Sequence, residues 1–345
     1  MYRPEQMSFV FRVRPDASGI VREGVSLRYT AIALIGLASE EPAAARRVLA
    51  QTPGDVCRRL QADIGRAQNL GDVALTLWAL RAQGQGNSET ALRRLRELDP
   101  AAAPHPTVEV AWSLTALCAD PIPETEELRQ ALARRLTQSA HPAGVFPHRL
   151  GSAGGARSHV ACFADMVYPI QALASHHLLC GDDASLKAAL RAGKLICQLQ
   201  GEAGQWWWHY DWRTGRVVEP YPVYAVHQDS MAPMALRVLQ KASGHDFAAA
   251  IARGMAWLER SPELEGGSLI DVGAGLIWRK VARREPGKLA RYLQAAATRV
   301  HPALRVPGLD RVLPPRAIDY EDRPYHLGWV LHAWPPSAVA GSRPA

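Results

Sequence analysis

The residues with the richest potential chemistry lie in one segment, residues 205–229. It holds four tryptophans and three tyrosines, in a chain whose aromatic content is only 7%. Five acidic or histidine residues lie among these rings, namely His209, Asp211, Glu219, His227 and Asp229. Buried ionisable groups need partners, and indole rings offer flat apolar platforms with one N–H donor at the edge. The segment therefore predicts a pocket with aromatic walls and acid/base groups.

Paired carboxylates beside a histidine are suited to general acid/base catalysis, because one carboxyl can stay protonated against an apolar wall while the other is ionised. Asp229 is the first candidate, since His227 precedes it by two residues. We expect Asp229 and Asp211 to share the acid/base work, assisted by His227 or His209. The alternative catalytic residues are Asp165 and Glu219.

Substrate-binding residues are expected among the aromatic side chains, since sugar rings and carbocations both suit such platforms. The candidates are Trp206, Trp207, Trp208, Tyr221 and Tyr224. Arginine and tyrosine at a barrel mouth could also hold hydroxyls or carboxylates. These candidates are Arg28, Tyr29, Tyr325 and Arg149, the last in the loop Phe146-Pro147-His148-Arg149. The structural alternative is that the tryptophans fill a wide core.

A short β-hairpin is predicted around Thr214-Gly215, where a turn separates two runs of aromatic and β-branched residues. Side chains alternate between the two faces of a strand. One face would then hold Trp207, His209 and Asp211. The other would hold Trp206, Trp208 and Tyr210.

These residues must be positioned by helices, because most of the chain shows apolar residues at helical spacing. The segments alternate between an apolar helix and an Ala/Arg/Leu amphipath, which predicts pairs of inner and outer helices. Inner helices are expected at residues 25–39, 70–83, 107–118, 163–179, 227–241 and 325–334. Outer helices are expected at 43–60 (broken at Pro53), 89–98, 124–138, 184–199 and 247–260, and less distinctly at 276–297. Six such hairpins, closed on themselves, would form an α/α barrel.

An internal repeat supports this arrangement. Asp165 and Pro169 recur as Asp229 and Pro233, 64 positions later. A lone hairpin cannot bury its apolar face, so stacking requires repetition of one unit. Proline is tolerated only near the first turn of a helix, so helices should begin close to both aspartates and place them at one rim of the barrel. Alternatively, each aspartate merely caps its helix.

Composition narrows the class of protein. The 345 residues are 48% hydrophobic and 21% charged, which is typical of folded domains. The net charge of +7 is spread through Ala/Leu-rich helices, so we expect no nucleic-acid partner. The longest apolar run, residues 31–38, is too short to cross a membrane, and the first residues do not resemble a signal peptide. A cytoplasmic location is expected.

Other chemical signals are weak. The five cysteines are an odd number and predict no disulfide framework. The sequence has no phosphate loop, and Gly273-Ala274-Gly275 lacks the rest of a dinucleotide fingerprint, so no cofactor is expected. No metal site is expected either, because His176-His177 has no evident co-ligands.

The alternating helices and the Trp-rich hairpin resemble the α/α-toroid superfamilies, which include six-hairpin glycosidases, sugar epimerases, polysaccharide lyases and terpenoid cyclases. Gln200-Gly201-Glu202-Ala203-Gly204-Gln205-Trp206 also fits the Gln-x-x-x-Gly-x-Trp motif of squalene-cyclase-like repeats. The Asp-x-Asp-Asp acid motif of squalene-hopene cyclases is missing, which favours the carbohydrate branch.

We therefore predict one all-α domain, an (α/α)6 toroid with a Trp-rich hairpin insertion, spanning residues 1–345 with an ordered body at about 20–335 and short flexible termini. The predicted function is that of a carbohydrate-active enzyme, acting on a small-molecule or oligosaccharide substrate by hydrolysis, elimination or epimerisation. A terpenoid cyclase or prenyl-substrate enzyme is the second hypothesis. A non-catalytic binding or scaffold protein of a biosynthetic pathway is the third.

Overall fold

Helices form the greater part of the computed structural model, which describes residues 1–85, 88–151 and 155–336. In these ranges the α-helices are α1 (Leu27–Leu37), α2 (Pro42–Leu49), α3 (Pro53–Ile64), α4 (Leu70–Ala82), α5 (Glu89–Glu97), α6 (Thr107–Ala119), α7 (Glu126–Ser139), α8 (Ala164–Cys180), α9 (Asp183–Gln198), α10 (Ala232–Ser243), α11 (Ala248–Glu259), α12 (Leu289–Val300), α13 (Leu309–Val312) and α14 (Pro324–Ala333).

The strands are short and antiparallel. They are β1 (Tyr2–Arg3), β2 (Ser8–Phe9), β3 (Arg12–Asp16), β4 (Gly19–Glu23), β5 (His105–Pro106), β6 (Arg149–Leu150), β7 (Val160–Cys162), β8 (His209–Asp211), β9 (Arg216–Glu219), β10 (Val223–Tyr224), β11 (Ile270–Asp271), β12 (Leu276–Ile277), β13 (Lys280–Ala282) and β14 (Ala317–Asp319). Two sheets have three strands, in the orders β7-β8-β9 and β10-β13-β14. The remaining strands form two-stranded pairs.

The predicted helices are largely confirmed. The inner helices α1 and α4 are buried along most of their length, whereas the outer helices α2 and α5 each expose one face. Pro53 separates α2 from α3, because proline suits the first turn of a helix and not its interior. A capping box of Thr52 and Asp55 fixes the start of α3.

The last predicted outer helix is wrong in its first half. Residues 276–288 contain β12, β13 and a short 3-10 turn, and the helix α12 begins only at Leu289. The run Leu276-Ile277-Trp278 favours strand because β-branched and aromatic side chains fit a pleated surface. Pro286-Gly287 then delays the helix, since Gly287 adopts a positive φ of 54°.

The contacts divide the chain into two compact units. The first comprises residues 1–103, 109–132 and 321–345, and the second comprises 104–108 and 133–320. Two hairpins, β1-β2 and β3-β4, are formed by residues 2–23 of the first unit. Most of these residues precede residue 20, where the sequence predicts that the ordered body begins. The expected flexible C-terminus falls mainly in 337–345, outside the described residues.

In the first unit, α1 packs closely on α14 and α4. Gly328 allows this approach, because a Cβ there would lie 2.5 Å from the carbonyl oxygen of Ile32. In the second unit, α8 packs on α9 and α10. A separate apolar cluster surrounds Trp257 and Trp278 beneath the β10-β13-β14 sheet. Across the described ranges, no helix combines the length and apolarity needed to span a bilayer.

Candidate active site

The predicted hairpin is confirmed and carries one further strand. β8 pairs with β9 across the Thr214-Gly215 turn, and β7 pairs with the other edge of β8. His209, Tyr210 and Asp211 are therefore all buried. The predicted alternation fails before residue 209, because the tryptophans precede the strand. The ring of Trp208 stacks on its neighbour His209, with centroids 4.1 Å apart.

The three consecutive tryptophans occupy different environments. Trp206 is fully buried, and a Cβ on Gly254 of α11 would lie 2.6 Å from its indole nitrogen, so the ring belongs to the core. Trp207 packs edge-on against Tyr221 at 5.9 Å. Trp208 is partly exposed and meets Tyr224 edge-on at 5.1 Å. Trp207 is also partly exposed but packs against the Trp257–Trp278 cluster, so Trp208 is the tryptophan best placed to contact a substrate.

The Gln-x-x-x-Gly-x-Trp motif ties helix ends together. The Gln200 side-chain amide donates hydrogen bonds of 2.9 Å to the carbonyl oxygens of Gly204 and Ala250. Its Oε1 accepts hydrogen bonds from Arg253 of α11. Gly204, at a φ of 103°, approaches the Arg253 carbonyl so closely that a Cβ would lie 2.1 Å from its oxygen. These contacts give the motif a structural role.

His227 and Asp229 lie in a single π-helical turn, His227–Met231, directly before α10. The ring of His227 packs between Phe163 and Tyr224, at centroid distances of 4.6 and 5.0 Å. Asp229 is 4% exposed and accepts a 2.5 Å hydrogen bond from the Ser230 hydroxyl. Short π-helical turns frequently occur at functional sites.

Pro233 accounts for part of the turn, and the sequence repeat places a second proline, Pro169, within α8 without such a turn. Pro233 has no N–H, so the carbonyl of Asp229 cannot receive the usual α-helical hydrogen bond. The turn closes instead from the Ala232 N–H to the His227 carbonyl. Pro169 holds the same position relative to Asp165, inside the first turns of α8. The prediction that a helix begins close to Asp165 is confirmed, whereas α10 begins three residues after Asp229.

Asp165 forms a dyad with His148, a residue that the sequence analysis left out of its candidates although it adjoins Arg149. The His148 Nδ1–H donates to Asp165 Oδ2 at 3.0 Å, and the Cys162 backbone N–H donates to the same oxygen at 2.7 Å. Asp165 is fully buried, whereas the His148 side chain is 56% exposed. Hydrogen bonding to the Asp165 carboxylate raises the pKa of His148 above its ordinary value of 6.5.

His209 has the opposite electrostatic environment. Burial, followed by the charges of Arg157 and Arg291, lowers the pKa of His209 well below 6.5. The charges of His148 and His227 act in the same direction. His209 is therefore a neutral imidazole near neutral pH, whereas His148 holds its proton more tightly than an ordinary histidine. Such a pair suits general acid/base catalysis, because acid and base are set apart by their surroundings.

The two remaining carboxylates are held by arginines. Asp211 accepts hydrogen bonds from Arg213 at 2.6 and 3.0 Å. Glu219 pairs with buried Arg283 at 3.0 Å, and burial raises the pKa of Glu219. These ion pairs favour structural roles for Asp211 and Glu219. Their catalytic roles stay predictions.

Cations cover the aromatic rings of the site, a feature that the sequence analysis missed. The guanidinium of Arg291 lies 4.9 Å from the ring centroid of Trp208. Arg279 and Lys280 lie 5.3 and 5.4 Å from that of Tyr224. Lys280 lies in β13, Arg279 directly precedes that strand and Arg291 lies in α12, all within the region expected to be a single outer helix. The many arginines and lysines between residues 279 and 291 were the sequence signal that could have predicted these contacts.

The four arginine and tyrosine candidates for the barrel mouth divide between the two units. Arg28, Tyr29 and Tyr325 all lie in the first unit, where Arg28 pairs with Asp72 at 2.7 Å and the two tyrosine rings lie 5.0 Å apart. Arg149 lies in the second unit, is exposed, and contacts the carbonyl of Pro104 at 3.4 Å. Arg149 adjoins His148, and its charge opposes the rise in the pKa of that histidine.

A metal-like donor set exists where none was expected. Ligand atoms of His148, Cys162 and Asp165 lie within 4.8 Å of one another. Zinc binds such groups when the thiol is ionised. Here burial raises the pKa of the Cys162 thiol well above its ordinary value. The hydrogen bonds within the His148–Asp165 dyad account for the clustering without an ion, so we interpret the three residues as a proton-handling group.

The fold is that of the α/α toroids, as the sequence predicts. The chain is similar to unsaturated glucuronyl hydrolase from Bacillus sp. GL1, at 11% identity and a TM-score of 0.58 over 95% of this chain and 90% of that one. It is also similar to cellobiose 2-epimerase from Bacillus thermoamylovorans, at 10% identity and a TM-score of 0.59 over 94% of this chain and 92% of that one. A family 105 glycoside hydrolase from C. acetobutylicum is similar at 13% identity and a TM-score of 0.52, over 89% of this chain and 92% of that one. No protein-family model and no curated protein matches the sequence.

Proposed function

We propose that this chain is a carbohydrate-active enzyme that transfers a proton on a saccharide, as in epimerisation or elimination. The observation that carries the proposal is the position of the His148–Asp165 dyad beside His209: Cys162, whose backbone N–H also binds Asp165, pairs directly with His209 across β7 and β8. The surroundings of the two histidines displace their pKa values in opposite directions. Enzymes use such displaced pairs as acid and base. Asp165 acts as a positioning residue, since its hydrogen bond holds the imidazole of His148.

The proposed step begins at neutral His209. Its imidazole removes a proton from a carbon next to a carbonyl or carboxyl group of the sugar. The C–H electron pair then forms a carbon–carbon double bond, and the π pair of the C=O bond moves onto the oxygen. Arg157 and Arg291 stabilise the developing negative charge, as fixed cations do in a site of low dielectric constant. The protonated form of His148 then donates its proton as the C=O bond re-forms. In epimerisation the proton goes to the carbon, and in elimination it goes to the leaving oxygen, which departs with the electron pair of the C–O bond that breaks. Two-base proton transfer therefore needs only side chains of this unit.

The saccharide class is supported by the partly exposed ring of Trp208, with Tyr224 at its edge, which together form an aromatic wall. The names of three similar structures, a glucuronyl hydrolase, a cellobiose epimerase and a glycoside hydrolase, also denote action on sugars. The terpenoid alternative is disfavoured by charge. Arg291, Arg279 and Lys280 over the rings would repel a carbocation.

The first experiment is a thermal-shift screen of the purified protein against neutral sugars, uronic acids, sugar phosphates and prenyl diphosphates. A ligand that binds only the folded state raises Tm. Each stabilising sugar is then incubated with the protein in D2O, and exchange of carbon-bound protons for deuterium is followed by NMR. The proposal predicts exchange at one carbon next to the carbonyl or carboxyl group.

We expect His148→Gln and His209→Gln each to slow this exchange by roughly 10²-fold or more, the usual contribution of a general acid or base. His301→Gln, which changes an exposed histidine of the same unit, should leave the rate unchanged. Exchange that persists in both active-site variants would exclude the histidine mechanism. Loss of sugar hydrolysis in Asp229→Asn, with both histidine variants active, would instead favour carboxylate chemistry. Stabilisation by prenyl diphosphates alone would favour the terpenoid alternative.

A further inference from the structure

A cationic pocket adjoins the aromatic wall of the second unit. Its cavity of about 290 Å³ is lined by two acidic and five basic side chains, together with Tyr221. The basic residues are Lys280, Arg283, Arg284, Lys288 and Arg291. Because Arg291 also covers the ring of Trp208 at 4.9 Å, the pocket and the proposed catalytic site share a residue.

The acidic lining residues neutralise only part of this charge. Asp319 pairs with Lys280 at 2.9 Å. Glu285 accepts a hydrogen bond from the Ala290 backbone N–H at the start of α12, and its other oxygen lies 3.9 Å from Arg291. Asp319 and Glu285 are therefore already engaged with the protein.

The charge of Arg283 is neutralised by two carboxylates that do not line the pocket, because Arg283 pairs with both Glu219 and Asp310. Among the described residues, Arg284 and Lys288 form no ion pair, and Arg291 has only the long contact with Glu285. Three positive charges thus remain without close carboxylate partners in this part of the chain. Exposed cations of this kind are common, so the buried member of the group matters most.

Arg291 is that buried member. Its side chain is 13% exposed, and its Nε is buried without a hydrogen-bond acceptor among the described residues. Burying an unsatisfied cationic donor is unfavourable unless a partner completes it. Burial also lowers the pKa of both Arg291 and Lys280, which means that the surroundings disfavour their charged forms. The negative charge of an anion in the pocket would offset this penalty.

We propose that the pocket binds the carboxylate or phosphate group of an acidic saccharide. The inference rests on the proposed function, because the aromatic wall would hold the sugar ring while the pocket holds its anionic group. Guanidinium and ammonium groups form strong charge-assisted hydrogen bonds with both kinds of oxyanion. A neutral sugar brings no charge to offset the surplus of basic side chains, so the pocket selects acidic sugars.

The test is calorimetric titration of the full chain with glucuronate, glucose 6-phosphate, glucose and inorganic phosphate, with and without added NaCl. We expect the preferred acidic sugar to bind roughly tenfold tighter than glucose, a ratio typical of one charge-assisted contact. Salt should reduce this preference, because exposed charges are screened. The tighter of the two acidic sugars identifies the anionic group as carboxylate or phosphate.

The double variant Arg284→Gln/Lys288→Gln removes two exposed pocket charges without disturbing the buried core. It should weaken binding of the acidic sugar by roughly tenfold and leave glucose unchanged. Lys187→Gln, which removes an exposed charge from α9, is the matched control and should have no effect.

Three outcomes would overturn the inference. Glucose and the acidic sugars binding equally would exclude an anion site while leaving the proposed function intact. Unchanged acidic-sugar binding by the double variant would place the recognition elsewhere. Inorganic phosphate binding as tightly as glucose 6-phosphate would show that the sugar contributes nothing. If no saccharide of either kind binds, the proposed function itself fails.

Discussion

At the scale of single residues, the site depends on one buried carboxylate. Asp165 Oδ2 accepts hydrogen bonds from both His148 and the Cys162 backbone, while its Oδ1 accepts none from the residues that the structure describes. A fully buried carboxylate is tolerated when such partners stabilise its charge. Its charge in turn raises the pKa of His148, so one aspartate sets both the orientation and the protonation of the proposed acid.

Asp165→Asn tests this coupling, because it keeps the size of the side chain and removes the charge. The pKa of His148 should fall, so the alkaline limb of the pH profile of kcat/KM should move down by about one unit. The acid limb, which reports His209, should move much less. Asp183→Asn, an exposed change on α9, is the control. A folded Asp165→Asn protein with an unchanged profile would contradict the dyad.

At the scale of elements, glycine and proline decide where helices approach and where they open. Pro233 opens the turn that carries His227 and Asp229, and Gly204 lets the Gln200 motif close onto α11. In the first unit, Gly36 and Gly328 face each other, so that a Cβ on Gly36 would lie 2.2 Å from the Gly328 carbonyl oxygen. Backbone cannot yield to such a contact as a flexible side chain can.

Gly328→Ala should therefore destabilise the protein by about 1–3 kcal/mol, the range for overpacking a tight interface. The measurement is the free energy of unfolding from urea denaturation. Gly155→Ala is a matched control, because its Cβ would meet no atom within 4 Å and its residue is exposed. Equal stabilities of the two variants would show that α1 and α14 are less closely packed than described.

At the scale of the whole molecule, histidines couple folding to pH in both units. Burial lowers the pKa of His159 and His209 in the second unit, and lowers that of His332 to about 4 in the first. His332 lies against the rings of Trp78 and Trp329. A group whose pKa is lower in the folded state binds protons preferentially when unfolded, so it destabilises the fold as pH falls below 6.5.

We expect Tm to fall by several degrees between pH 6.5 and 4, since each kcal/mol shifts the Tm of a domain of this size by roughly 2–4 °C. His148 acts in the opposite direction: its pKa is raised, so its contribution is present below 6.5 and is lost as pH rises. Because His148 is half exposed, the buried histidines should dominate. His332→Phe should flatten the curve and His301→Gln should not. A Tm independent of pH over this range would contradict the prediction.

The sequence by itself determined most of the helices, their inner and outer faces, and the hairpin around Thr214-Gly215, but not the strands at 276–282. Periodicity, prolines and a Thr-Gly turn act over a few residues, so they can be recognised locally. Tertiary structure decided which side chains meet: His148 joins Asp165, 17 positions away, Arg291 covers Trp208, and Trp206 enters the core. It also gathered part of a dispersed positive charge into one pocket. Such long-range contacts depend on how the helices pack, and no local sequence pattern specifies them.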